Sequence, residues 1–286
     1  MKKVKQLQSA PASLQDFLRE YPYEKRKIID WKAFGNEGGQ AKSDLIQALD
    51  EVQQGLCAYC EIALVKQTDK GPIYDRQIEH FHPKSDIPSS IDWMFEISNL
   101  FAACRGGSQI LMFGEDSSFK DDERCLEPYQ KNHSCGETKK DDNLDNIILK
   151  PSELPVSPSL FVVSDDGGVD EKACSQTGVE ITKAVMTIKR LNLDCVRLRN
   201  ARQAIWEKLN EVLAVEWESL GDEATDDDFE TLLAQLAEEM LTFEQNEGLP
   251  AFFTTIRSFF GVHAETVLSQ ASQTPRRFAN GKASVI

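Results

Sequence analysis

The sequence predicts an α+β protein in which helical segments flank a middle region of short strands. Apolar residues recur at helical spacing across residues 42–56. Residues 76–81 instead have the pattern of a short strand. Beyond residue 176 the apolar periodicity is helical almost to the end of the chain. We therefore expect two parts, residues 1–175 and residues 176–286, of which the second is acidic and wholly α-helical.

The first part is predicted to begin with helices and to end with a hairpin. Residues 1–35 hold short helical patterns, and Ser43 is a candidate N-cap for the helix over 42–56. Residues 93–104 are apolar and end at a cysteine, and 105–134 form a polar insertion. The run LFVVSDDGGV at 160–169 is typical of a β-hairpin with its tip at Asp-Asp-Gly-Gly.

The second part is predicted to consist of one long helix and two shorter ones. Asp194 is a candidate cap for a helix over 195–220, in which apolar side chains share one face. Residues 226–245 and 249–262 give the two shorter helices. A polar tail follows residue 272.

Charge alone does not decide the class of partner. The 286 residues carry a net charge of −15, which argues against a nucleic-acid surface. Most of this charge lies in residues 201–250, which hold 14 acidic and 2 basic side chains. No apolar run is long enough to span a membrane and no secretory signal is recognisable, so we expect a cytoplasmic protein without a membrane contact.

The cysteine pattern favours a metal site. Seven cysteines in a reducing compartment are more often metal ligands or core residues than disulfides. Cys57 and Cys60 have the Cys-x-x-Cys spacing of a zinc hairpin, and we pair Cys104 with Cys135 to complete four sulfur ligands. Cys125 is left as spare. A two-histidine finger or a zinc deaminase is excluded because the histidine spacing or the motif order is wrong.

The stretch IEHFHPKS at 78–85 contains a second kind of site. Its carboxylate, Glu79, directly precedes His80, a combination suited to metal-assisted hydrolysis in which an imidazole takes a proton from water. On a strand these neighbours point to opposite faces, so they share a site only at a cleft edge or at the end of the strand. Asn99, in SNLFAAC, could hold a loop or orient an imidazole. Taken alone, the Glu79-His80 pair is more readily explained as a surface dipeptide, and Asn99 as a turn or capping residue.

The order of these motifs resembles the HNH endonuclease family. CAYCE at 57–61, IEHFHPKS at 78–85, SNLFAAC at 98–104 and CGETKK at 135–140 follow one another as in that family. The resemblance implies a zinc-stapled ββα-metal core within the α+β fold. With Trp93 and the LNLD segment at 191–194 included, the sequence is similar to the PtuB-type nuclease subunits of Septu and retron anti-phage defence systems. Those subunits act with a separate ATPase subunit, PtuA.

The resemblance also implies a role for each matching residue. His80 corresponds to the general base, Glu79 to the acidic ligand of a catalytic Mg²⁺ or Mn²⁺, and Asn99 to the asparagine that holds the base-bearing loop. The four paired cysteines correspond to the structural Zn²⁺ site: Cys57, Cys60, Cys104 and Cys135.

One position departs from the family pattern. The family often has a second metal ligand directly after the last cysteine, where this chain has Gly136. His133 or Asp141 could replace it, and we favour His133. Three lysines are candidates for phosphate contacts in DNA or are solvated surface residues: Lys84, Lys139 and Lys140.

Two functions are therefore compatible with the sequence. The first is a metal-dependent DNA endonuclease, the effector subunit of an anti-phage hetero-oligomer with a PtuA-like ATPase. The second is a catalytically silent, zinc-stapled module that binds a partner through its acidic helices. The acidic helices could also repel DNA until a partner is engaged.

Overall fold

The computed structural model describes the segments that carry the candidate site. The described residues are 1–22, 31, 34–35, 38–69, 71–86, 90–108, 130–171, 178–242 and 248–273. The prediction for Cys125, and most of that for the polar insertion, fall outside these residues.

The first half of the chain alternates helices with two-stranded sheets, so the predicted α+β class is confirmed. The sheets are all antiparallel: β1 pairs with β2, β3 with β4, and β5 with β6. The elements are α1 (Ala12–Glu20), α2 (Gly39–Val52), β1 (Val65–Lys66), β2 (Ile73–Tyr74), β3 (Gln77–His80), β4 (Leu100–Ala103), α3 (Cys135–Lys139), β5 (Phe161–Val163) and β6 (Val169–Glu171).

The second half is helical, as predicted, but its described residues form five helices, and the three predicted ones did not include Ile181–Arg190 or Val262–Gln273. Its elements are α4 (Ile181–Arg190), α5 (Val196–Ser219), α6 (Asp226–Leu241), α7 (Phe253–Phe260) and α8 (Val262–Gln273). Short 3₁₀ turns lie at Ile97–Asn99, Gln130–Asn132 and Pro151–Glu153. Within the described ranges, no helix is both long and apolar enough to cross a membrane.

Two predicted helix caps are wrong. Helix α2 begins at Gly39, four residues before Ser43, because Ala41 packs into the core and extends the helical stripe toward the N-terminus. Asp194 is not the N-cap of α5, since Cys195 holds that position. The Asp194 carboxylate instead accepts hydrogen bonds from the Val169 amide and the Arg199 guanidinium, which fixes the β5–β6 hairpin against α5.

The hydrophobic core forms two clusters. The larger one joins the N-terminal helices, the cysteine-bearing segments, the β3–β4 hairpin and the beginning of α5. The smaller one joins Leu56 to the packed faces of α5, α6, α7 and α8. The larger cluster thus contains side chains from both sides of residue 175, and the division of the chain there stays a prediction.

Candidate functional site

Four cysteine thiols converge at one buried point. The sulfur atoms of Cys57, Cys60, Cys104 and Cys135 all lie within 4.8 Å of one another. Adjacent sulfur pairs are 3.6 Å (Cys60 to Cys104), 3.8 Å (Cys104 to Cys135) and 3.9 Å (Cys57 to Cys135) apart. All four side chains are buried. The predicted pairing of these cysteines is therefore confirmed as a cluster that could hold a metal ion.

Local backbone geometry explains how the first two cysteines reach the cluster. After α2 the chain makes a tight turn in which the Cys57 amide donates to the Ile62 carbonyl and the Glu61 amide to the Cys57 carbonyl. Glu61 adopts a left-handed φ of 65°, which turns the chain back on itself. The Glu61 carboxylate offsets this strain by accepting two hydrogen bonds from Thr254 of α7.

The other two cysteines come from distant segments. Cys104 directly follows β4, and Cys135 begins α3, where its amide donates to the Leu191 carbonyl. Arg197, fully buried, donates to the Ser134 hydroxyl beside Cys135. Sequence reasoning missed Arg197, whose positive charge lies close to the sulfur cluster and would offset thiolate charge there. Cys195 is also buried but bonds to the Asn132 carbonyl outside the cluster.

The β3–β4 hairpin carries the second part of the site. Glu79 faces Phe101 and His80 faces Leu100 across the antiparallel register. His80 Nε2 lies 3.0 Å from the Met94 carbonyl oxygen, and the Trp31 ring packs edge-on at 4.6 Å from the imidazole. Because a carbonyl only accepts, Nε2 carries the hydrogen and Nδ1 keeps its lone pair. Burial lowers the pKa of His80 to about 3, so its imidazole is neutral at neutral pH.

The Glu79 carboxylate is buried against a lysine. The ammonium Nζ of Lys139 lies 3.2 Å from Glu79 Oε1, and the Tyr59 hydroxyl lies 3.5 Å from the same oxygen. Burial raises the pKa of Glu79, and Lys139 opposes that rise. Glu79 and His80 are neighbours on the strand, but their recorded contacts point to different sides of it.

Asn99 joins two backbone segments next to His80. Its side-chain oxygen accepts from the His82 amide at 2.7 Å, and its amide nitrogen donates to the carbonyls of His82 (3.0 Å) and Trp93 (2.8 Å). The side chain is buried at 1% exposure, so these bonds replace water entirely. This is the arrangement expected of an asparagine that holds a loop.

His82 is fixed more tightly than the sequence suggested. Its Nδ1 lies 2.7 Å from Asp145 Oδ2 and its Nε2 lies 2.9 Å from Asp86 Oδ2. Its ring stacks on Trp93 with centroids 4.1 Å apart. No sequence signal identified Asp145, which is 63 residues away along the chain. A cleft of about 480 Å³ lies beside this cluster, lined by residues that include His82, Trp93, Lys150 and Lys183.

The remaining predicted residues lie in different environments. His133 Nδ1 is 3.8 Å from Glu137 Oε1, and within the described part of the chain its buried Nε2 has no hydrogen-bond partner. Lys84 is partly exposed with its Nζ 3.9 Å from Asp141 Oδ1, and Lys140 is exposed.

Lys139 was predicted to contact a DNA phosphate, with a solvated surface lysine as the alternative, and both interpretations assume an exposed side chain. Its side chain is 2% exposed because the Glu79 carboxylate and backbone carbonyls replace water around the ammonium. As placed, this group is unavailable to a DNA phosphate.

The residues around Glu79 do not form a ready site for a divalent ion. Among the residues that the structure describes, the four cysteines are the one group of three or more potential ligands close enough to share a metal. A side chain at Gly136 would begin 2.3 Å from Glu79 Oε2, so the carboxylate fills the space in which a second ligand would stand. Lys139 already supplies a positive charge there.

Comparison with known proteins agrees with the sequence resemblance. The chain is 29% identical over 242 residues to the "Retron Ec83 putative HNH endonuclease" of Escherichia coli, covering 79% of this chain and 83% of that protein. No family model matches the chain. The similarity covers most of both proteins. It thus confirms, over most of the chain, the resemblance to the HNH endonucleases that the ordered motifs indicated.

Proposed function

We propose that this protein is a nuclease of the HNH type that hydrolyses phosphodiester bonds in DNA. The observation that carries the proposal is the position of Glu79 and His80 on β3, beside a loop held by Asn99 and paired with β4, which leads directly into Cys104 of the four-cysteine cluster. The similarity of most of the chain to a putative HNH endonuclease supports the same reaction class.

In this proposal β3, β4 and α3 form the ββα-metal unit, and the cysteine cluster holds structural zinc. A tetrahedral site with Zn–S bonds of about 2.3 Å has sulfur–sulfur edges of about 3.8 Å. The observed separations of 3.6, 3.8 and 3.9 Å fit that geometry closely. Strands of only four residues bury too little apolar area to hold this unit together, so a bound ion would supply the missing stability.

His80 is the proposed general base. Its neutral imidazole, with the hydrogen on Nε2 held by the Met94 carbonyl, leaves Nδ1 to take a proton from the attacking water. Burial fixes the ring orientation, and Asn99 fixes the loop that follows β3. The Trp31 ring packs edge-on against the imidazole and adds to its fixed orientation.

The catalytic metal remains a prediction. A Mg²⁺ or Mn²⁺ ion would stabilise charge on the scissile phosphate when bound. Glu79 stays the predicted ligand and His133 the predicted second ligand, but the recorded contacts of His133 are with Glu137.

The biological setting also belongs to the proposal. The curated relative is a retron protein by its name, which favours an effector role in anti-phage defence. We propose a hetero-oligomer with a separate PtuA-like ATPase, with Lys84 and Lys140 near the DNA phosphates. Localisation in the cytoplasm follows from that setting.

The test is DNA cleavage by the full-length zinc-loaded protein, alone and with a co-expressed ATPase from the same locus. Wild type should cut plasmid DNA with Mg²⁺ or Mn²⁺, and His80→Ala should lose cutting while keeping its metal content. His263→Ala is the matched control, because this histidine bonds only to Glu230 in the acidic helical half among the contacts recorded for it. Cutting by His80→Ala at the wild-type rate would reject the assignment.

The second candidate function is a partner-binding module without catalysis. It is favoured by one observation: Glu79 is already paired with Lys139 and closed against Gly136. The acidic surface of α5 and α6 would then be the binding surface for a basic partner. Stable binding of a partner, with no cleavage under any combination of metal and ATPase, would favour this function over the first.

A further inference from the structure

The Lys139 ammonium is the central feature of the Glu79 environment. It lies 3.2 Å from Glu79 Oε1, 2.8 Å from the His80 carbonyl oxygen and 3.3 Å from the Lys140 carbonyl oxygen. A lysine ammonium has three hydrogens to donate, and these three acceptors use all of them. The group is thus a fully satisfied buried cation rather than a flexible surface lysine.

Helix α3 is shaped to bring this cation to the carboxylate. Gly136 and Lys139 are three residues apart and therefore lie on the same face of the helix. A Cβ at Gly136 would lie 2.3 Å from Glu79 Oε2 and 2.8 Å from Cδ, so a larger residue there would require the Glu79 side chain to move. The missing side chain lets the carboxylate approach the helix, and Lys139 reaches it one turn later.

A lysine in this place competes with a divalent ion. Both cations would have to stand within a few ångströms of one buried carboxylate, and like charges at that distance repel strongly in a protein interior. A divalent ion also needs several oxygen ligands, whereas the recorded neighbours of Glu79 are the Lys139 ammonium and the Tyr59 hydroxyl.

We infer that Lys139 is a resident cation that keeps divalent metal away from Glu79 in the resting protein. The inference rests on the proposed function, in which Glu79 is a metal ligand. Metal would bind when the Lys139 ammonium withdraws from the Glu79 carboxylate. Lys139 is then a positioning residue that sets metal affinity and also fixes the His80 backbone.

Binding of Mn²⁺ to the zinc-loaded full-length protein, followed by the electron paramagnetic resonance of free Mn²⁺ at pH 8, tests this directly. Lys139→Met should bind Mn²⁺ at least about tenfold more tightly than wild type, because removing a unit charge about 4 Å from a bound cation exceeds that effect at a dielectric constant near 20. Lys139→Arg keeps the charge and should retain weak binding. The matched control is Lys189→Met, an exposed lysine on α4 that should behave as wild type.

The gain in affinity must also depend on Glu79. The double variant Glu79→Gln with Lys139→Met should lose the gain, and it leaves no unpaired buried charge, so it folds even where Lys139→Met alone is destabilised. Equal Mn²⁺ affinity in wild type and Lys139→Met, with normal zinc content, would overturn the inference. So would tight wild-type binding that Glu79→Gln abolishes.

The Mn²⁺ affinities test the resident-cation inference independently of DNA cleavage, which tests the nuclease proposal. The Mn²⁺ measurement needs no substrate and no ATPase partner. If Lys139→Met binds Mn²⁺ tightly but neither protein cuts DNA, the resident-cation inference stands and the nuclease proposal fails. If wild type and Lys139→Met bind Mn²⁺ equally, but wild type cuts DNA and His80→Ala does not, the nuclease proposal stands and the resident-cation inference fails.

Discussion

The cysteine cluster and the Glu79 environment are both buried, charged regions, yet they are prepared differently. In the first, four thiols from three separate segments converge within 4.8 Å of one another, and the buried guanidinium of Arg197 lies close to them. In the second, one carboxylate is already neutralised by Lys139 at 3.2 Å. One guanidinium balances only part of the charge that the four sulfurs would carry when ionised, so the first region requires a bound ion, whereas the second balances its charge within the chain.

This difference teaches what each region contributes. An ion bound by the cysteine cluster would contribute to folding stability, because the metal–sulfur bonds would hold the four cysteines together. The Glu79 region is stable without an ion, so a metal there would be part of function and open to regulation. The predictions that follow test this contrast, beginning with the largest expected effect.

Removing one cysteine ligand should destabilise the whole protein. We expect Cys135→Ser to lose its bound zinc and much of the binding free energy, which is about 10–16 kcal/mol for structural zinc in small domains. A loss of even about 4 kcal/mol lowers Tm by about 8–16 °C in a chain of this size. Metal content by mass spectrometry and thermal unfolding by circular dichroism measure both effects.

The control for this variant is Cys195→Ser, which changes a buried cysteine outside the cluster. It should keep its zinc and lose far less stability. If Cys135→Ser instead retained the metal and the wild-type Tm, the cluster would not be a folding site and the contrast would fail.

The second largest loss of stability is expected when the Asn99 side chain, which holds the loop after β3, is removed. Asn99→Ala removes three hydrogen bonds and leaves buried backbone groups of His82 and Trp93 unpaired. We expect a loss of about 2–4 kcal/mol in the free energy of unfolding, from the cost of such unpaired groups. Urea denaturation measures it, and zinc content should not change.

Asn200→Ala on the exposed face of α5 is the matched control and should be nearly neutral. An Asn99→Ala protein as stable as wild type would mean that the loop is held by other contacts, such as those of His82.

Sequence reasoning succeeded where a local pattern fixes the chemistry. Cys-x-x-Cys spacing identified half of the cluster, and the ordered motifs supplied Cys104 and Cys135, all of which converge. The hairpin over β5 and β6 followed from its Asp-Asp-Gly-Gly tip. The predictions that were wrong concern residues whose partners are distant in the chain. Lys139 was expected at the surface because lysines seldom lie buried, and only the fold brings it to a carboxylate 60 residues earlier.

Other features had no local signal at all. Asp145 meets His82 across 63 residues, and Trp31 meets His80 across almost fifty. Nothing in the sequence near Asp145 or Trp31 indicates these contacts. The predicted N-cap of α2 was wrong for a related reason. Serine is a favourable N-cap residue, but the helix begins before Ser43 because Ala41 is buried in the core.

The buried His80 should make stability fall at mildly acidic pH. Its pKa is about 3 in the folded protein, against about 6.5 when unfolded, so below pH 6.5 the unfolded chain binds a proton that the folded chain does not. The contribution of neutral His80 to the free energy of unfolding is fully present above pH 6.5, and it decreases by about 2 kcal/mol as the pH falls to 5. Urea denaturation of wild type and His80→Gln at pH 5 and pH 8 isolates this contribution.

The zinc content of both proteins is measured at pH 5 and at pH 8, so that loss of metal is distinguished from protonation of His80. His80→Gln should show a flatter pH dependence than wild type, although its stability at pH 8 is lower. Identical slopes would mean that His80 is protonated or solvated in the folded protein, against its neutral role as a base.

The smallest expected effect concerns the loop after β3. Asp86 contacts His82 Nε2 at 2.9 Å, but its side chain is 41% exposed, so water can replace much of the interaction. We expect Asp86→Asn to change the free energy of unfolding by less than about 1 kcal/mol, as is usual for exposed ion pairs. His82 would still be held by Asp145, by its stack on Trp93 and by the backbone bonds to Asn99. A loss as large as that of Asn99→Ala would instead place the main support of the Glu79–His80 region in the His82 cluster, and the asparagine would be secondary.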